Sequence, residues 1–374
     1  MKGHIAKKGN KYYIVVDVGK TPDGRRRRKW ISGFNKKKEA EKALPEILFQ
    51  LNQGTYAEPT KKTVKQYIEE WLEWKKKRIR PSTLTTYCRL VNNHVFPHIG
   101  KIRLDKLHET DIEDLYDNLR EEKELAESTI VKIHADILKP AFKRAVRYRY
   151  INHNPADIED PPKQKRRKEI KVWSIEERNR FLETAKGDRQ YIFYYLSLNT
   201  GMRMGEVLGL KWNNIDLENK VIKVRYTLTS HTRELSEPKT ESSKRDIVID
   251  DITLQELKKR LIQIKEDKLK AGELYNDQGF VCCSKTGEPL LQSNVRRKFN
   301  SLIKKADVPK IRIHDMRHTW ATLQLLAGTD IHTVSQILGH SSVWFTYDTY
   351  VHLLPEMQRE AAETQMQLIN SPKM

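Results

Sequence analysis

Apolar and polar positions alternate at the start of the chain in the manner of half-buried strands. Tyr13, Val15 and Asp17 fall on one face, and Tyr12, Ile14, Val16 and Val18 on the other. Thr21-Pro22-Asp23-Gly24 supplies a turn, proline fixing φ and glycine accepting a positive φ, and a basic strand over residues 25–31 follows it. The period then lengthens to that of a helix, with Asn35 as N-cap and an end near Asn52, just before Gly54. The first piece therefore reads as a β-hairpin-plus-helix module.

Residues 54–62 read as a linker. Beyond it, Thr63 and Gln66 have capping-box spacing, and Val64, Tyr67, Ile68, Trp71 and Leu72 recur at helical period. Further helices are predicted over 82–95, from Thr110 (with Glu113 three residues on) to 121, and over 128–148. Trp71 and Trp74 are assigned to the core rather than to base stacking. A second linker, 153–171, holds Pro155, Pro161 and Pro162, which keep it extended. The last part opens with Ser174 capping a helix. Strand-like segments at 221–226 and 245–249 predict a hairpin whose arm carries Pro238-Lys239-Thr240. Helices follow over 253–270 and 293–306, and Ile331, Val334, Ile337 and Leu338 make the buried stripe of another that stops at Gly339. The predicted fold is multidomain and mainly α with small β-sheets. Its pieces are a hairpin-and-helix module over 1–55, a helical domain over 62–155, and a mixed, mainly helical domain over 172–374.

Charge changes this picture from a fold to a class of partner. Lys and Arg number 70 against 50 Asp and Glu among 374 residues, a formal net charge of +20. Such a field attracts polyanions, and solubility alone would be served equally well by acidic residues. Residues 1–60 carry 14 basic and 6 acidic side chains, +8 of the total. The run Arg25, Arg26, Arg27 and Arg28 beside Trp30 is expected on an exposed strand able to enter a major groove. Lys163, Lys165, Arg166 and Arg167 would hold the second linker against phosphates. The cysteines, Cys88 and the adjacent Cys282 and Cys283, form neither a disulfide framework nor a Cys-x-x-Cys metal knuckle. With no apolar stretch near the ~20 residues needed to cross a bilayer, a soluble cytoplasmic protein acting on DNA, with no membrane partner, is expected.

The chemistry concentrates near the C-terminus. His314 and Arg317 are three residues apart, so a helix puts them on one face. His340 follows the helix stop at Gly339, and Arg203 follows Thr200-Gly201. Pre-placed arginine and histidine donors stabilise the charge that develops on phosphoryl oxygens, and arginine does so with a fork that stays charged. No carboxylate cluster offers to hold a metal instead. His314 and His318 have the i, i+4 spacing of a zinc helix, but Asp315 stands where the glutamate belongs and Arg317 would place a cation beside the metal. A tyrosine assisted by positive charge can act as a covalent nucleophile, and Lys239 on its hairpin can protonate a departing alkoxide.

In these residues the chain resembles the tyrosine recombinase (phage-type integrase) family. Thr-Gly-Met-Arg203-x-x-Glu206, Pro-Lys239-Thr-x-Ser-Ser-x-Arg, His314-x-x-Arg317, Leu-Gly-His340 and Thr-x-x-x-Tyr350-x-His occur in the family's order. The resemblance implies that Tyr350 attacks the scissile phosphate to give a 3′-phosphotyrosine and a free 5′-hydroxyl. Arg203, Arg317 and His340 would hold the non-bridging oxygens, His314 would assist in proton transfer or phosphate binding, Lys239 would act as general acid, and Glu206 would support the site. No metal or other cofactor is implied. Tyr350 is preferred to Tyr347 because it fits the motif and lies 350 − 340 = 10 residues after His340, and Lys239 is preferred to Lys244 because Lys244 follows the serine pair. The first piece is similar to the arm-binding module of integrases from Gram-positive mobile elements, and the second to their core-binding domain. Integration and excision of a phage or conjugative element are therefore expected, by a homotetramer on double-stranded attachment sites. A host bending factor and an excisionase are implied as partners, and the tail over 358–368 would dock on a neighbour. A catalytically silent DNA-binding regulator and a type IB topoisomerase are the alternatives.

Overall fold

The computed structural model describes residues 3–20, 26–53, 56, 60–121, 124–163, 170–229, 234–238 and 241–350. The chain divides into two compact units, Met1–Arg167 and Lys168–Met374.

The first unit begins with an antiparallel sheet of strands β1 (Gly3–Lys8), β2 (Lys11–Lys20) and β3 (Arg26–Phe34), in that order. Register pairs Ile14 with both Ile5 and Ile31, which puts these three on one face. That face meets helix α1 (Lys37–Gln53) through Ala40, Leu44 and Leu48. The opposite face carries Tyr13, Val15, Arg28 and Trp30. Tyr13 and Trp30 meet edge to face at 5.8 Å and Val15 is buried, while Trp30 remains 51% exposed. Alternation in the sequence therefore reports one face covered by a helix and one left open. The helix starts one residue later than an N-cap at Asn35 predicts. Lys36 rather than Asn35 precedes it, and Glu39 reaches back to accept from the Lys36 amide. The turn at Thr21-Pro22-Asp23-Gly24 lies outside the described residues.

The helical part of the unit comprises α2 (Val64–Lys76), α3 (Pro81–Leu90), α4 (Phe96–Ile99), α5 (Glu109–Glu121), α6 (Glu127–Lys132) and α7 (Lys139–Arg147). The capping box at α2 is present, with the Thr63 side chain accepting from the Gln66 amide and the Gln66 side chain accepting from that of Thr63. The box expected at Thr110 is not formed. Helix α5 starts at Glu109, and Asp111 accepts from the His108 amide at 2.8 Å. Two turns are π-helical, Val91–Val95 and Ile133–Leu138, and each is followed within two residues by a proline, Pro97 or Pro140. Proline has no N–H for the i−4 carbonyl, and a widened turn carries the helix past it. Trp71 belongs to the core as predicted. Trp74 lies at its rim, between the guanidinium groups of Arg78 and Arg144, 4.3 and 4.0 Å from its ring centre. The stretch read as an extended linker from residue 153 is still part of this core at Ala156 and Ile158, both buried.

The second unit is built on α9 (Tyr191–Thr200), whose residues are apolar on every side because α8 (Ile175–Ala185), α11 (Asp251–Ala271) and α13 (Asp315–Leu326) surround it. Ser174 caps α8 as predicted, in a full capping box with Glu177. Strands β4 (Ile215–Asp216), β5 (Val221–Val224) and β8 (Arg245–Val248) form a small antiparallel sheet, with Val221 opposite Val248 as the predicted hairpin requires. Between them, β6 (Thr227–Leu228) and β7 (Leu235–Ser236) make a second ribbon. Helices α10 (Met204–Leu208), α12 (Gln292–Ala306), α14 (Ile331–Leu338) and α15 (Val343–Tyr350) complete the unit. Trp320, Ala321, Leu325, Val334, Leu338 and Tyr350 form a small apolar cluster of their own, apart from the main core around α9. Among the described residues no helix is long and apolar enough to cross a membrane.

Candidate active site

The site forms where the ends of four helices meet. Helix α9 stops at Gly201, which holds φ +63°, and a Cβ there would stand 2.5 Å from the Trp320 ring, so this position admits only glycine. Two residues later Arg203 is extended at the head of α10, and its backbone N–H donates to Glu206 Oε2 at 2.9 Å. Helix α14 stops at Gly339, again with positive φ (+65°), and delivers His340. Helix α13 begins after His314, and one turn in, Arg317 points back across the junction.

Three arginines converge on the end of α14. Arg245 donates from Nε to the Ile337 carbonyl, Arg317 from Nη2 to that of Leu338 at 2.6 Å, and Arg203 from Nη2 to that of Gly339 at 3.1 Å. The terminal carbonyls of a helix lack intrahelical partners and carry its negative dipole end, so they hold guanidinium groups without neutralising them. Arg317 also donates from Nη1 to Gly201 O at 2.8 Å, which ties the ends of α9 and α14 together. The one carboxylate in the set is Glu206, buried, accepting from Arg203 Nη1 and from Arg245 Nη2, each at 2.9 Å. Among the described residues, these three cations and one anion leave 3 − 1 = +2 at the junction. Asp315 adds nothing to this balance because Arg312 pairs with it at 2.7 Å.

Titration behaviour follows from burial and this excess of charge. Burial raises the proton affinity of the Glu206 carboxyl, but Arg245 and Arg203 outweigh it and hold the group below the usual carboxylate range. Arg317 is lowered by burial and then by Arg203, to about 9, which leaves it charged at neutral pH. His340 is lowered by burial and then by Arg317 and Arg203, to about 3, and His314 is lowered by burial and Arg317. Both imidazoles are therefore neutral before any anion arrives. Burial pushes the Tyr350 phenol up, only partly countered by Arg317.

An open cavity of about 330 Å³ adjoins the junction, lined among others by Arg203, Glu206, Pro238, Gly339, His340 and Phe345. His340 Nδ1 lies 2.7 Å from the Thr346 hydroxyl, which orients the ring from α15. Tyr350 ends the same helix, with its hydroxyl 2.7 Å from His318 Nδ1. The structure thus brings together Arg203, Glu206, Arg317, His340, His314 and Tyr350. Tyr347 is 38% exposed and packs edge to face on Trp344. Lys239 lies outside the described residues, and Lys244 pairs with Glu237 at 3.4 Å. Of the residues expected to contact DNA, Arg28 is exposed on β3 and Lys163 pairs with Asp160 at 2.7 Å. Arg26 and Arg27 lie on β3, but their side chains, like Arg25, Lys165, Arg166 and Arg167, are outside the description.

Two participants escape sequence reasoning. Arg245 closes the ion-pair chain through Glu206, and only its place at the end of the lysine-hairpin pattern hints at this. His318 reads from sequence as one end of a discarded zinc spacing.

Comparison with known proteins accords with this geometry. The Phage integrase family profile matches residues 172–357, the N-terminal SAM-like domain of phage integrases matches 63–120, and an Arm DNA-binding domain matches 4–51. A XerC-like tyrosine recombinase of Caldanaerobacter subterraneus is 30% identical over 385 residues, covering 97% of this chain and 98% of the relative. The ICEBs1 integrase of Bacillus subtilis is 30% identical, covering 76% and 77%. In fold, the Tn1549 transposon integrase solved with circular intermediate DNA superposes with a TM-score of 0.67 at 23% identity, covering 81% of this chain and 99% of that one. A lambda integrase dimer bound to a core site gives 0.58 at 16% identity, covering 92% and 93%. Relatives matched along most of the chain are recombinases and integrases, which favours recombination over the regulator and topoisomerase alternatives. The chain belongs to the tyrosine recombinase (phage integrase) family of site-specific DNA recombinases.

Proposed function

We propose that Tyr350 cuts and rejoins one DNA strand through a 3′-phosphotyrosine while Arg203, Arg317 and His340 hold the phosphate. The carrying observation is the junction at the end of α14, where three guanidinium groups are fixed by carbonyls around a single carboxylate. Such a centre is preorganised for an anion and short of one. An arginine has five N–H donors, and Arg317 commits two, to Gly201 and Leu338, so its fork is positioned without being used up. Neutral His340 complements the arginines as a donor to a non-bridging oxygen, and His314 adds a donor or proton relay at the head of α13. Glu206 holds Arg203 and Arg245 in register. Lys239 is the general acid for the 5′-oxygen.

Around this centre the chain is read as three parts, an arm-type DNA-binding domain over 1–55, a core-binding domain over 62–155 and a catalytic domain over 172–374. The helix-free face of the first sheet, with Arg28 and Trp30, suits a major groove. The basic residues Arg25, Arg26 and Arg27, and Lys163, Lys165, Arg166 and Arg167, add phosphate contacts. The protein works in the bacterial cytoplasm as a tetramer on paired attachment sites of a mobile element, with a host bending factor and an excisionase setting direction. A nicked suicide substrate carrying the attachment core tests the assignment. Wild-type protein and Tyr347→Phe form a covalent adduct, and Tyr350→Phe binds the same DNA without forming one. An undiminished adduct in Tyr350→Phe removes Tyr350 from the reaction.

A further inference from the structure

The phenol proton of an attacking tyrosine needs a destination. Of the three histidines at the site among the described residues, His340 turns Nδ1 to Thr346, and the His314 ring stands perpendicular to that of His318 at 5.1 Å. His318 alone has a ring nitrogen on the phenol, Nδ1 at 2.7 Å from the Tyr350 hydroxyl. Both side chains are held for this contact. His318 sits one turn into α13 beside Arg317, and Tyr350 fills the small cluster of Trp320, Leu325, Val334 and Leu338.

We propose that His318 is the base for Tyr350, taking the phenol proton on Nδ1 as the phenol oxygen attacks phosphorus and giving it back on rejoining. The proposal rests on the reading of Tyr350 as the nucleophile. In the forward step the bond from Tyr350 Oη to phosphorus forms, the bond from phosphorus to the 5′-oxygen breaks, the phenol proton moves to His318, and the 5′-oxygen takes its proton from the general acid, Lys239. In the reverse step the 5′-hydroxyl returns its proton to that acid, attacks phosphorus, and the departing phenolate recovers the proton from His318. The groups facing His318 are His314, Asp315 and Arg317 on its own helix, Arg312 just before it, and Tyr350 from α15, with His340 acting from the end of α14. Burial, then His314, disfavours its charged form, so the ring is neutral before DNA binds, and the tautomer protonated on Nε2 leaves the Nδ1 lone pair to the phenol. Asp315 favours the charged ring, but it is engaged by Arg312 through both oxygens and only partly counters the burial. An arriving phosphate brings negative charge, which favours the imidazolium at the moment it forms.

A buried phenol requires some hydrogen-bond partner in any case, so the test must separate proton transfer from simple positioning. Adduct formation on the nicked substrate is followed in single turnover from pH 6 to 9 for wild type, His318→Ala and His318→Asn, with the adduct mapped by peptide mass spectrometry and DNA affinity measured alongside. Expected for both variants is DNA binding as in wild type, a rate about 100-fold lower or more, and a rate that climbs about tenfold per pH unit where the wild type is flat, because hydroxide replaces the lost base. Added imidazole restores His318→Ala toward the wild-type rate. If His318→Ala fails to bind DNA, the same criteria are applied to His318→Asn, which keeps an amide against the phenol but takes no proton. A variant rate and profile like those of wild type, or a slow variant with a flat profile and no imidazole rescue, overturns the proposal and leaves Tyr350 in place. An adduct mapped to another residue overturns the reading of Tyr350 itself.

Discussion

Replacing Glu206 by glutamine removes one charge and almost no volume, and so isolates what the carboxylate does. Its two oxygens accept three hydrogen bonds, from the Arg203 amide, Arg203 Nη1 and Arg245 Nη2, all at 2.9 Å. Glutamine can keep its carbonyl oxygen toward the Arg203 amide and Arg245, but its NH2 then faces Arg203 Nη1, donor against donor. One charge-assisted hydrogen bond is lost, worth about 1.5–3 kcal/mol, and Arg245, only 7% exposed, keeps no anion. Alanine removes all three bonds and breaks the buried pair outright, at about 3–5 kcal/mol. At about 2–4 °C per kcal/mol for a unit of this size, Glu206→Gln lowers the melting temperature of the second unit by about 3–12 °C and Glu206→Ala by more. The carboxyl's folded pKa is depressed below its unfolded value of 4.5, so its contribution is complete at neutral pH and is lost as pH falls below 4.5 through the folded pKa. The gap between wild type and Glu206→Gln is therefore full at pH 7 and closes in acid. Calorimetry at both pH values, with adduct formation measured at pH 7, makes the check. A Glu206→Gln protein that melts within a degree of wild type at pH 7 and cleaves at the same rate refutes the clamp.

Gly201→Ala puts a Cβ 2.5 Å from Trp320 on a left-handed residue and shifts the carbonyl that Arg317 holds; it should cost more than the about 1–2 kcal/mol of the backbone term alone and slow cleavage, and a protein with wild-type melting and rate would contradict this. Lys239→Ala should cleave a normal phosphodiester poorly yet cleave a 5′-bridging phosphorothiolate at close to the wild-type rate, since a thiolate leaves without a proton. Equal defects on both substrates would remove Lys239 as the acid. Deleting residues 1–55 should spare cleavage of an isolated core site and abolish integration in a plasmid assay, and full integration by the shortened protein would dismiss the arm role.

Local chemistry was the most legible part of the sequence. The box at Thr63 and the cap at Ser174 form as predicted because a cap is settled within four residues. At Asn35 and Thr110 a competing acidic side chain, Glu39 or Asp111, reaches back instead and moves the helix start by one or two residues. The π-turns before Pro97 and Pro140 could not be read, since whether a helix breaks or widens at proline depends on the packing around it. At the site, the ordered motifs single out the groups but not their attachments. That Arg203, Arg245 and Arg317 share the last carbonyls of α14 is a product of helix ends and strand β8 meeting in space. The contact between His318 and Tyr350 spans 32 residues of sequence, with only an i, i+4 histidine pair to mark it.

The separate cluster around Tyr350 has a mechanical meaning. Its ring is 2% exposed and is one of six buried residues that hold α14 and α15 on the C-terminal half of α13, apart from the main core. Under the proposed chemistry the nucleophile is also a packing member of the element that carries it. Engaging DNA then draws on the cohesion of α15, and the helix regains that cohesion only when the phenol is released. Cleavage and the local order of this helix therefore change in opposite directions, so amide exchange along α15 reports on the chemical state of the DNA.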